Sequence, residues 1–577
     1  MLNSAQEQAV RMQGHCLVTA CPGSGKTKVL EHRAAHLLSD PDANVLGVTF
    51  TAESAAELEH RIRQQAPRAG RRLVTGTFHA LSRKMLIKAN VRLRLINDFQ
   101  QTDLLRRAYR DTMDPGLQIT FDDAKAYVDK IKAQVDPVLP NHDLEPCVDV
   151  YLRYQELLRQ TGSADFADLM LLAVRGMRDG TVPAYKTTYM LVDEFQDTDA
   201  VQFAWIREHI RQGTAVTVVG DDDQSIYEWR FGMGFQGMED FRRLTQASHV
   251  SLDTTYRCAR EIMEPAARLI AFNTERVHKS LKTANQTKGS VHVKPFADKE
   301  EERSAIAQAI VASGKPGEWA VLARTNAQLE FVEQFIAGRL PVIRSGGTSF
   351  WELRGPAMYL SLCRALCNGA MGDLDPVLKR SGISETRIEA MHAEYRSREA
   401  GAVQRFLAAK RGGSSKDPED RLRILMNQWR AMLASGETNL ALHGIAHYMK
   451  TSIRLYERDR KPDDQAKDNL RMDNCAAALA RIQGPLQQRL MLLQQESKKD
   501  GEAVRLMTFH SSKGLEFPNV WIMGCEEGVI PSSNSPLEEE RRLFYVGMTR
   551  AKLSLTMSYV INEKAPASRF LKEAELL

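Results

Sequence analysis

A glycine-rich loop with the residues needed to bind phosphate lies near the start of the chain. From Thr19 to Thr27 the sequence reads TACPGSGKT, with an apolar run before it and apolar residues at helical spacing after it, which predicts strand, loop and helix. The backbone N–H groups of such a loop can turn towards an anion, Lys26 can reach outer phosphates, and the Thr27 hydroxyl can hold Mg²⁺. The predicted nucleotide-binding residues are Ala20, where the strict pattern has glycine, and Gly23, Ser24, Gly25, Lys26 and Thr27.

Two carboxylates follow a second apolar run. The run 189–192 leads directly into Asp193 and Glu194. A strand that ends in two carboxylates is what an ATPase needs beside its phosphate loop, because Asp193 can hold Mg²⁺ and Glu194 can polarise the attacking water. The sequence therefore predicts an enzyme that hydrolyses a nucleotide with a magnesium ion.

A third polar segment, 220–230, follows the apolar run that ends at Val219. Gln224 is placed to sense a terminal phosphate. Tyr227 and Trp229 offer flat faces on which bases can stack, and each stacked base contributes about 1–3 kcal/mol without regard to sequence.

Four more residues are candidates for ligand contact by position. Gln8 lies just before the phosphate loop, and its amide can read an adenine edge, although such a glutamine taken alone is expected on the surface. Phe50, Phe78 and His79 follow predicted strands, where α/β sheets place their ligands. Without further context, the two phenylalanines are expected in the core.

The elements that position these residues alternate between strand and helix, which predicts an α/β fold with a parallel sheet. The chain has 577 residues and a net charge of +5, which neither demands nor excludes nucleic acid. It has no apolar run long enough for a membrane span and no signal-peptide pattern at Met1–Gln6, so a cytoplasmic protein is expected. The eight cysteines lack metal-binding spacing and are predicted to be free thiols.

The ordered motifs resemble those of the superfamily 1 DNA helicases of the UvrD/Rep/PcrA family, in which alanine at the position of Ala20 is usual. The matching stretches are 20–27, 49–51, 76–79, 193–198, 220–227, 255–257, 322–326, 507–517 and 540–551. The resemblance implies two RecA-like parallel-sheet P-loop domains, each with a mainly helical insertion. It implies a first core at 1–80 and 186–250 with insertion 81–185, and a second core at 251–352 and 502–577 with insertion 353–501.

The same resemblance implies roles for residues that spacing alone does not explain. Arg257 and Arg550 would be arginine fingers from the second core, Tyr256 would stack on adenine, and Glu516 would hold the ribose. Lys26, Glu194 and Gln224 complete the implied catalytic set, and the implied DNA-binding residues are Phe50, His79, Tyr227, Trp229 and His510. Where the family commonly has Trp-Arg-Gly-Ala, this chain has Phe231 in place of the glycine, and this ring either adds a stacking face or, as we favour, fills the core under a shifted turn.

The activity implied is that of an ATP- and Mg²⁺-dependent DNA helicase that moves 3′ to 5′ along single-stranded DNA. Its expected partners are single strands and single-strand/duplex junctions, with no membrane, and it would act as a monomer or a DNA-induced dimer. The short segment after Arg550 leads us to expect no added nuclease domain. One alternative is a translocase that displaces proteins from single strands and unwinds little. Another is a non-enzymatic clamp in which ATP gates DNA binding.

Overall fold

Two units make up the part of the chain that the computed structural model describes, which is residues 1–114, 116–140, 145–227, 231–409, 417–452, 462–494, 501–562 and 565–577. The first unit contains Met1–Gly289 and Asn534–Tyr545, and the second contains Ser290–Ser533 and Val546–Leu577. Within the described ranges, no helix combines the length and apolar character needed to cross a membrane.

A sheet of six parallel strands forms the centre of the first unit. The strands of this unit are β1 Cys16–Ala20, β2 Val45–Thr49, β3 Leu73–Thr77, β4 Arg94–Leu95, β5 Ser163–Ala164, β6 Tyr189–Val192, β7 Ala215–Gly220, β8 Ser248–Leu252, β9 Thr254–Thr255 and β10 Lys282–Thr283. The order in the main sheet is β3-β2-β6-β7-β1-β8. Leu17 and Val18 of β1 belong to different apolar clusters, because successive side chains of a strand point to opposite faces of the sheet.

Helices of the first unit surround this sheet and fill its long insertion. They are α1 Ser4–Arg11, α2 Lys26–Leu37, α3 Ala52–Gln65, α4 Phe78–Lys88, α5 Asp98–Thr112, α6 Phe121–Lys132, α7 Cys147–Gln160, α8 Phe166–Asp179, α9 Ala200–Arg211, α10 Gly234–Thr245 and α11 Arg260–Ile270. Helices α5, α6 and α7 enclose an apolar cluster of their own, which includes Leu105, Val128 and Tyr154. The segment between β3 and β6 is therefore largely helical.

The second unit contains another sheet of six parallel strands. Its strands are β11 Ser290–Phe296, β12 Trp319–Ala323, β13 Val342–Ser345, β14 Val504–Thr508, β15 Phe517–Ile522 and β16 Ala551–Val560, in the order β11-β16-β15-β12-β14-β13. The predicted α/β class with two parallel-sheet domains is confirmed. All eight cysteines are free thiols, as the sequence predicts.

Most helices of the second unit lie between β13 and β14 in the chain. The helices are α12 Lys299–Ser313, α13 Asn326–Ile336, α14 Arg354–Asn368, α15 Asp375–Arg380, α16 Glu385–Glu394, α17 Ala402–Ala408, α18 Pro418–Ala434, α19 Thr438–Ser452, α20 Pro462–Arg481, α21 Leu486–Gln494, α22 Phe509–Ser512, α23 Leu537–Met548 and α24 Arg569–Glu573, with α23 counted in the first unit as far as Tyr545. Helices α14 to α21 share one large apolar cluster that includes Tyr359, Phe406 and Trp429.

Residues 251–289, which the sequence analysis assigns to the second core, lie in the first unit of the structure. β8 pairs with β1 from Cys16 to Ala20, so it is an edge strand of the first sheet. β9 and α11 follow it directly in the chain. Tyr256 and Arg257 are consequently parts of the same unit as the glycine-rich loop.

Candidate nucleotide-binding and catalytic site

Two glycines with left-handed backbones shape the loop between β1 and α2. Gly23 has a φ of +72° and Gly25 a φ of +83°, a region that favours glycine because it has no Cβ. A Cβ on Gly23 would lie 2.4 Å from the Cβ of Arg257, so a larger residue has no room. The Ser24 hydroxyl is buried and has no hydrogen-bond partner in the described part of the chain, which leaves it available to a phosphate oxygen. Ala20 is buried at the end of β1, and Thr27 lies half-buried in the first turn of α2.

The lysine of this loop meets the carboxylates at the end of β6. Lys26 Nζ lies 2.9 Å from Glu194 Oε2, although 168 positions separate the two residues in the chain. The backbone N–H of Glu194 donates to Asp193 Oδ1 at 2.9 Å. Glu194 itself has a φ of +50°, a conformation that costs a residue with a side chain about 1–3 kcal/mol. The structure thus brings together the loop lysine and both predicted carboxylates.

The charges at this site shift the pKa values of its members. Burial and the adjacent carboxylate of Glu194 raise the pKa of Asp193 to about 7. Burial acts to lower the pKa of Lys26, but the carboxylates of Glu194 and Asp221 outweigh it, so the pKa of this lysine is raised and it is charged at neutral pH. A divalent cation beside Asp193 would therefore stabilise its ionised form.

A buried glutamine that the sequence analysis did not single out joins the ends of β6 and β7. Gln196 donates from Nε2 to Glu194 Oε2 at 2.5 Å, and its Oε1 accepts the backbone N–H of Asp221 at 3.0 Å. Gln224, the predicted phosphate sensor, donates to Asp221 Oδ2 at 2.6 Å. The sensor and the carboxylate predicted to activate water are consequently connected through two side chains.

The glutamine beside the phosphate loop is Gln6 rather than Gln8. Gln6 is buried and donates from Nε2 to the Ser24 carbonyl oxygen at 2.9 Å. Gln8 is exposed on the opposite side of α1, so the side chain proposed from sequence to read adenine does not face the loop. A signal for Gln6 was present in the spacing, because Gln6, Ala9 and Val10 form the buried stripe of this helix.

Tyr256 and Arg257 pack directly against the phosphate loop. The backbone N–H of Tyr256 donates to the Gly23 carbonyl oxygen at 2.9 Å, and its hydroxyl accepts a hydrogen bond from Asn3 Nδ2 at 2.9 Å. The Tyr256 side chain is 49% exposed, so one ring face is open to a ligand. Both residues therefore lie beside the loop within the first unit, whereas the sequence analysis placed them in the second core.

The remaining predicted nucleotide residues lie in the second unit. Arg550 is buried and donates to the carbonyl oxygens of Val546 at 2.9 Å and Leu515 at 3.1 Å. Glu516, next to Leu515, is exposed and pairs with Lys552 at 2.5 Å. The structure therefore brings Arg550 and the Glu516 segment together within this unit.

Aromatic rings at the strand ends of the first unit form two exposed pairs. Phe50 and Tyr227 stack with their ring centroids 5.9 Å apart and their planes 12° apart, and Phe50 is 39% exposed. His79 lies 5.2 Å from the ring of Phe166, which the sequence analysis did not single out. Burial lowers the pKa of His79, so its ring is neutral at neutral pH. Phe78, in contrast, is buried against Trp205 and belongs to the core.

Trp229 and His510 are predicted contacts with DNA, whereas Phe231 is predicted to fill the core. Trp229 lies outside the described residues. His510 is half-buried in α22 of the second unit, whose first turn is capped by Thr508. Phe231 has a φ of +65° and is 40% exposed, so the favoured interpretation that it fills the core is wrong.

The described chain contains two parallel sheets. At the carboxyl ends of strands in the first sheet, a glycine loop, a lysine and a pair of carboxylates come together. These features define a P-loop nucleotide hydrolase with two such sheets. The UvrD/REP helicase N-terminal domain family matches residues 2–243, and the UvrD-like helicase C-terminal domain family matches residues 250–368 and 442–562. The chain therefore belongs to the UvrD-like helicases, and its class is that of ATP-dependent DNA helicases.

Individual relatives match over nearly the whole chain. DNA helicase II of Escherichia coli (strain K12) is 32% identical, over 97% of this chain and 84% of the relative. DNA helicase II of Haemophilus influenzae is 30% identical, over 99% of this chain and 86% of the relative. The ATP-dependent DNA helicase PcrA of Staphylococcus aureus (strain Mu50) is 28% identical over the same shares.

Proposed function

We propose that this chain uses ATP hydrolysis to move along single-stranded DNA, 3′ to 5′, and to separate the strands of duplex DNA. The observation that carries the proposal is the meeting of Lys26, Asp193 and Glu194 at the glycine loop. A protein that only binds DNA has no need for a carboxylate held beside a phosphate site by a strained backbone. The direction of movement rests on the resemblance alone.

Each residue of the candidate site would have a different role in ATP hydrolysis. Lys26, now paired with Glu194, would transfer its contact to the phosphates of the bound nucleotide. The Glu194 carboxylate, no longer paired with Lys26, would then orient the attacking water and accept its proton. Gln224 would contact the terminal phosphate, and Arg257 and Arg550 would stabilise the charge that develops on it, an effect worth about 10³–10⁵ in rate for an arginine finger.

The residues present fit a magnesium ion. Magnesium prefers oxygen ligands from one or two protein groups together with phosphates and waters. The Thr27 hydroxyl and the Asp193 carboxylate supply such oxygens, and the raised pKa of Asp193 indicates a carboxylate that lacks a full counter-charge. A magnesium ion held there would supply Lewis-acid stabilisation of the negative charge on the phosphates.

We further propose roles for individual residues in binding the base and the sugar of the nucleotide. The exposed ring of Tyr256 would stack on adenine, and the buried amide of Gln6 supports a role in fixing the loop beneath the base. Glu516 would hold the ribose. Gln8 is not included, because its side chain faces away from the loop.

The exposed aromatic pairs support binding to a single strand. Phe50 with Tyr227, and His79 with Phe166, offer open ring faces on which bases can stack regardless of their identity. Trp229 and His510 are proposed contacts from the resemblance. The protein would bind single strands and single-strand/duplex junctions, as a monomer or as a dimer formed on DNA.

The experiment is strand displacement with ATP and Mg²⁺ on matched duplexes that carry either a 3′ or a 5′ single-stranded tail. Displacement of the 3′-tailed duplex alone, lost in Lys26→Ala and kept in a surface control such as Lys88→Ala, would support both the activity and the direction. Displacement of only the 5′-tailed duplex would overturn the direction.

Two other outcomes correspond to the alternatives. If neither duplex is displaced but DNA still stimulates ATP hydrolysis, the protein is a translocase that needs a partner or a second copy to unwind. If ATP alters DNA affinity and no phosphate is released, the protein is a clamp and the proposed role of Glu194 is wrong.

A further inference from the structure

Three consecutive aspartates follow β7, and one lysine contacts all of them. Lys279 Nζ lies 2.6 Å from Asp221, 2.7 Å from Asp222 and 2.9 Å from Asp223, measured to a carboxylate oxygen in each case. The lysine side chain is fully buried. A buried charge is tolerated when it is paired and hydrogen-bonded, and here the ammonium donates to Asp221 and Asp223 and forms an ion pair with Asp222.

The segment around this lysine supplies the remaining partners of the cluster. Arg276 donates to both oxygens of Asp223, at 2.8 and 2.7 Å. The backbone N–H of Val277 donates to Asp222 Oδ2 at 2.6 Å. The segment 276–279 therefore contacts every aspartate after β7, and it does so with two cations and one amide.

This cluster resembles a metal site in its donors but holds a cation of its own. Oxygens of the three aspartates lie within 4.8 Å of one another, a spacing that could accept a metal ion. The ammonium of Lys279 contacts the same three carboxylates. Two cations of the chain, Lys279 and Arg276, therefore balance most of the negative charge of the three carboxylates, which indicates that the cluster holds part of the chain in place.

What it holds is the predicted phosphate sensor. One oxygen of Asp221 accepts from Lys279 at 2.6 Å, and the other accepts from Gln224 Nε2, also at 2.6 Å. Asp221 is fully buried, so without the lysine its carboxylate would be a buried charge with too few partners. It would then turn away or take up a proton, and in either case the hydrogen bond that orients Gln224 would change.

We propose that Lys279 is a positioning residue for ATP hydrolysis, which sets the orientation of the Gln224 amide by fixing the Asp221 carboxylate. This inference rests on the proposed function, in which Gln224 contacts the terminal phosphate. Lys279 touches neither nucleotide nor water in this role. We assign its effect to the turnover step, because its described hydrogen bonds go to Asp221 and Asp223 and not to the glycine-rich loop.

The test compares Lys279→Met with Lys132→Met in ATP turnover and in the affinity for a fluorescent ATP analogue. Lys132 is a matched control, since it too is a buried lysine that bridges carboxylates, those of Asp165 and Asp168, but has no link to Gln224. We expect Lys279→Met to lower kcat without DNA about tenfold with less than a twofold change in analogue affinity. Lys132→Met should leave both within twofold.

A double-mutant cycle shows whether the effect passes through Gln224. In a Gln224→Ala background, Lys279→Met should cost less than a further twofold in kcat, because the residue it positions is already missing. An equal loss of kcat in both backgrounds would overturn the inference. Unchanged kcat per folded molecule in Lys279→Met would overturn it as well.

A second variant covers the case in which Lys279→Met does not fold. Lys279→Met with Asp222→Asn removes one positive and one negative charge, so the net charge of the cluster is retained while Asp221 still loses its lysine. It should fold and still show the loss of kcat, and wild-type kcat in this variant would contradict the proposal. If the wild-type protein itself releases no phosphate, the proposed function fails, which is a different result.

Discussion

The acidic residues after β6 and those after β7 lie at the ends of two neighbouring parallel strands. Each group contacts a different lysine, which lies far from it in the chain. Lys26 contacts one carboxylate, Glu194, and both side chains are partly exposed. Lys279 contacts three carboxylates and is fully buried. Similar residues at similar places in one sheet are thus arranged in two different ways.

The difference shows that the number of carboxylates does not identify a reactive centre. After β6, burial and a neighbouring carboxylate raise the pKa of Asp193 to about 7, so this group has too little positive charge around it. After β7, burial acts to raise the pKa of Asp223, but Lys279 and Arg276 outweigh it and the pKa is lowered. The carboxylates after β6 are suited to bind a metal ion and a phosphate, and those after β7 are suited to fix the position of a loop.

The largest expected difference between the two groups is in ATP turnover. Glu194→Gln should lower kcat at saturating ATP and DNA about 10²–10⁴-fold, because an amide cannot accept the proton of the attacking water. Asp222→Asn, a matched change in the buried group, should stay within about threefold, since the described partners of the Asp222 side chain are Lys279 and the backbone N–H of Val277. Both are measured by phosphate release. Comparable losses in the two variants would remove the distinction between the groups.

A smaller effect is expected for Tyr227, which follows the β7 group and stacks on Phe50. Tyr227→Ala should weaken single-stranded DNA binding about tenfold, as a stacked base contributes about 1–3 kcal/mol. Fluorescence anisotropy with a labelled oligonucleotide measures the affinity. Phe99→Ala, which removes a ring that is 82% exposed on α5, serves as the control. Unchanged affinity in Tyr227→Ala would mean that Tyr227 presents no stacking face to DNA.

The smallest expected effect concerns removal of divalent cations. EDTA should abolish ATP hydrolysis, because the group after β6 needs an added cation. The melting temperature without nucleotide should change by less than about 1 °C, since Lys279 and Arg276 already pair with the carboxylates after β7. Differential scanning fluorimetry with and without EDTA measures this. A loss of several degrees would place a structural metal among the three aspartates and contradict the comparison.

Local sequence patterns predicted which candidate site residues lie next to a strand end. The glycine loop, Asp193 and Glu194 each follow an apolar run, and parallel strands bring such ends to one edge of a sheet. The same reasoning placed Gln224 correctly after β7. The fold class could be predicted for the same reason, because strands and helices alternate along both sheet-forming parts of the chain.

Residues that act across long distances in the chain were not predictable in this way. Lys279 lies 58 positions from Asp221, and no local pattern indicates that an isolated lysine between α11 and β10 enters a buried cluster. Phe166 begins a helix of the insertion, far in sequence from His79. The error over Gln8 was of another kind, because the buried stripe of α1 already favoured Gln6 and was not used.

The contact between Gly23 and the segment after β9 has a mechanical consequence. A Cβ on Gly23 would lie only 2.4 Å from the Cβ of Arg257, so the loop and this arginine are already close-packed and the gap cannot be compressed. The hydrogen bond from Tyr256 to the Gly23 carbonyl oxygen resists separation in the opposite direction. When phosphate binds, a displacement of the loop in either direction is therefore transmitted to the backbone of Tyr256 and Arg257.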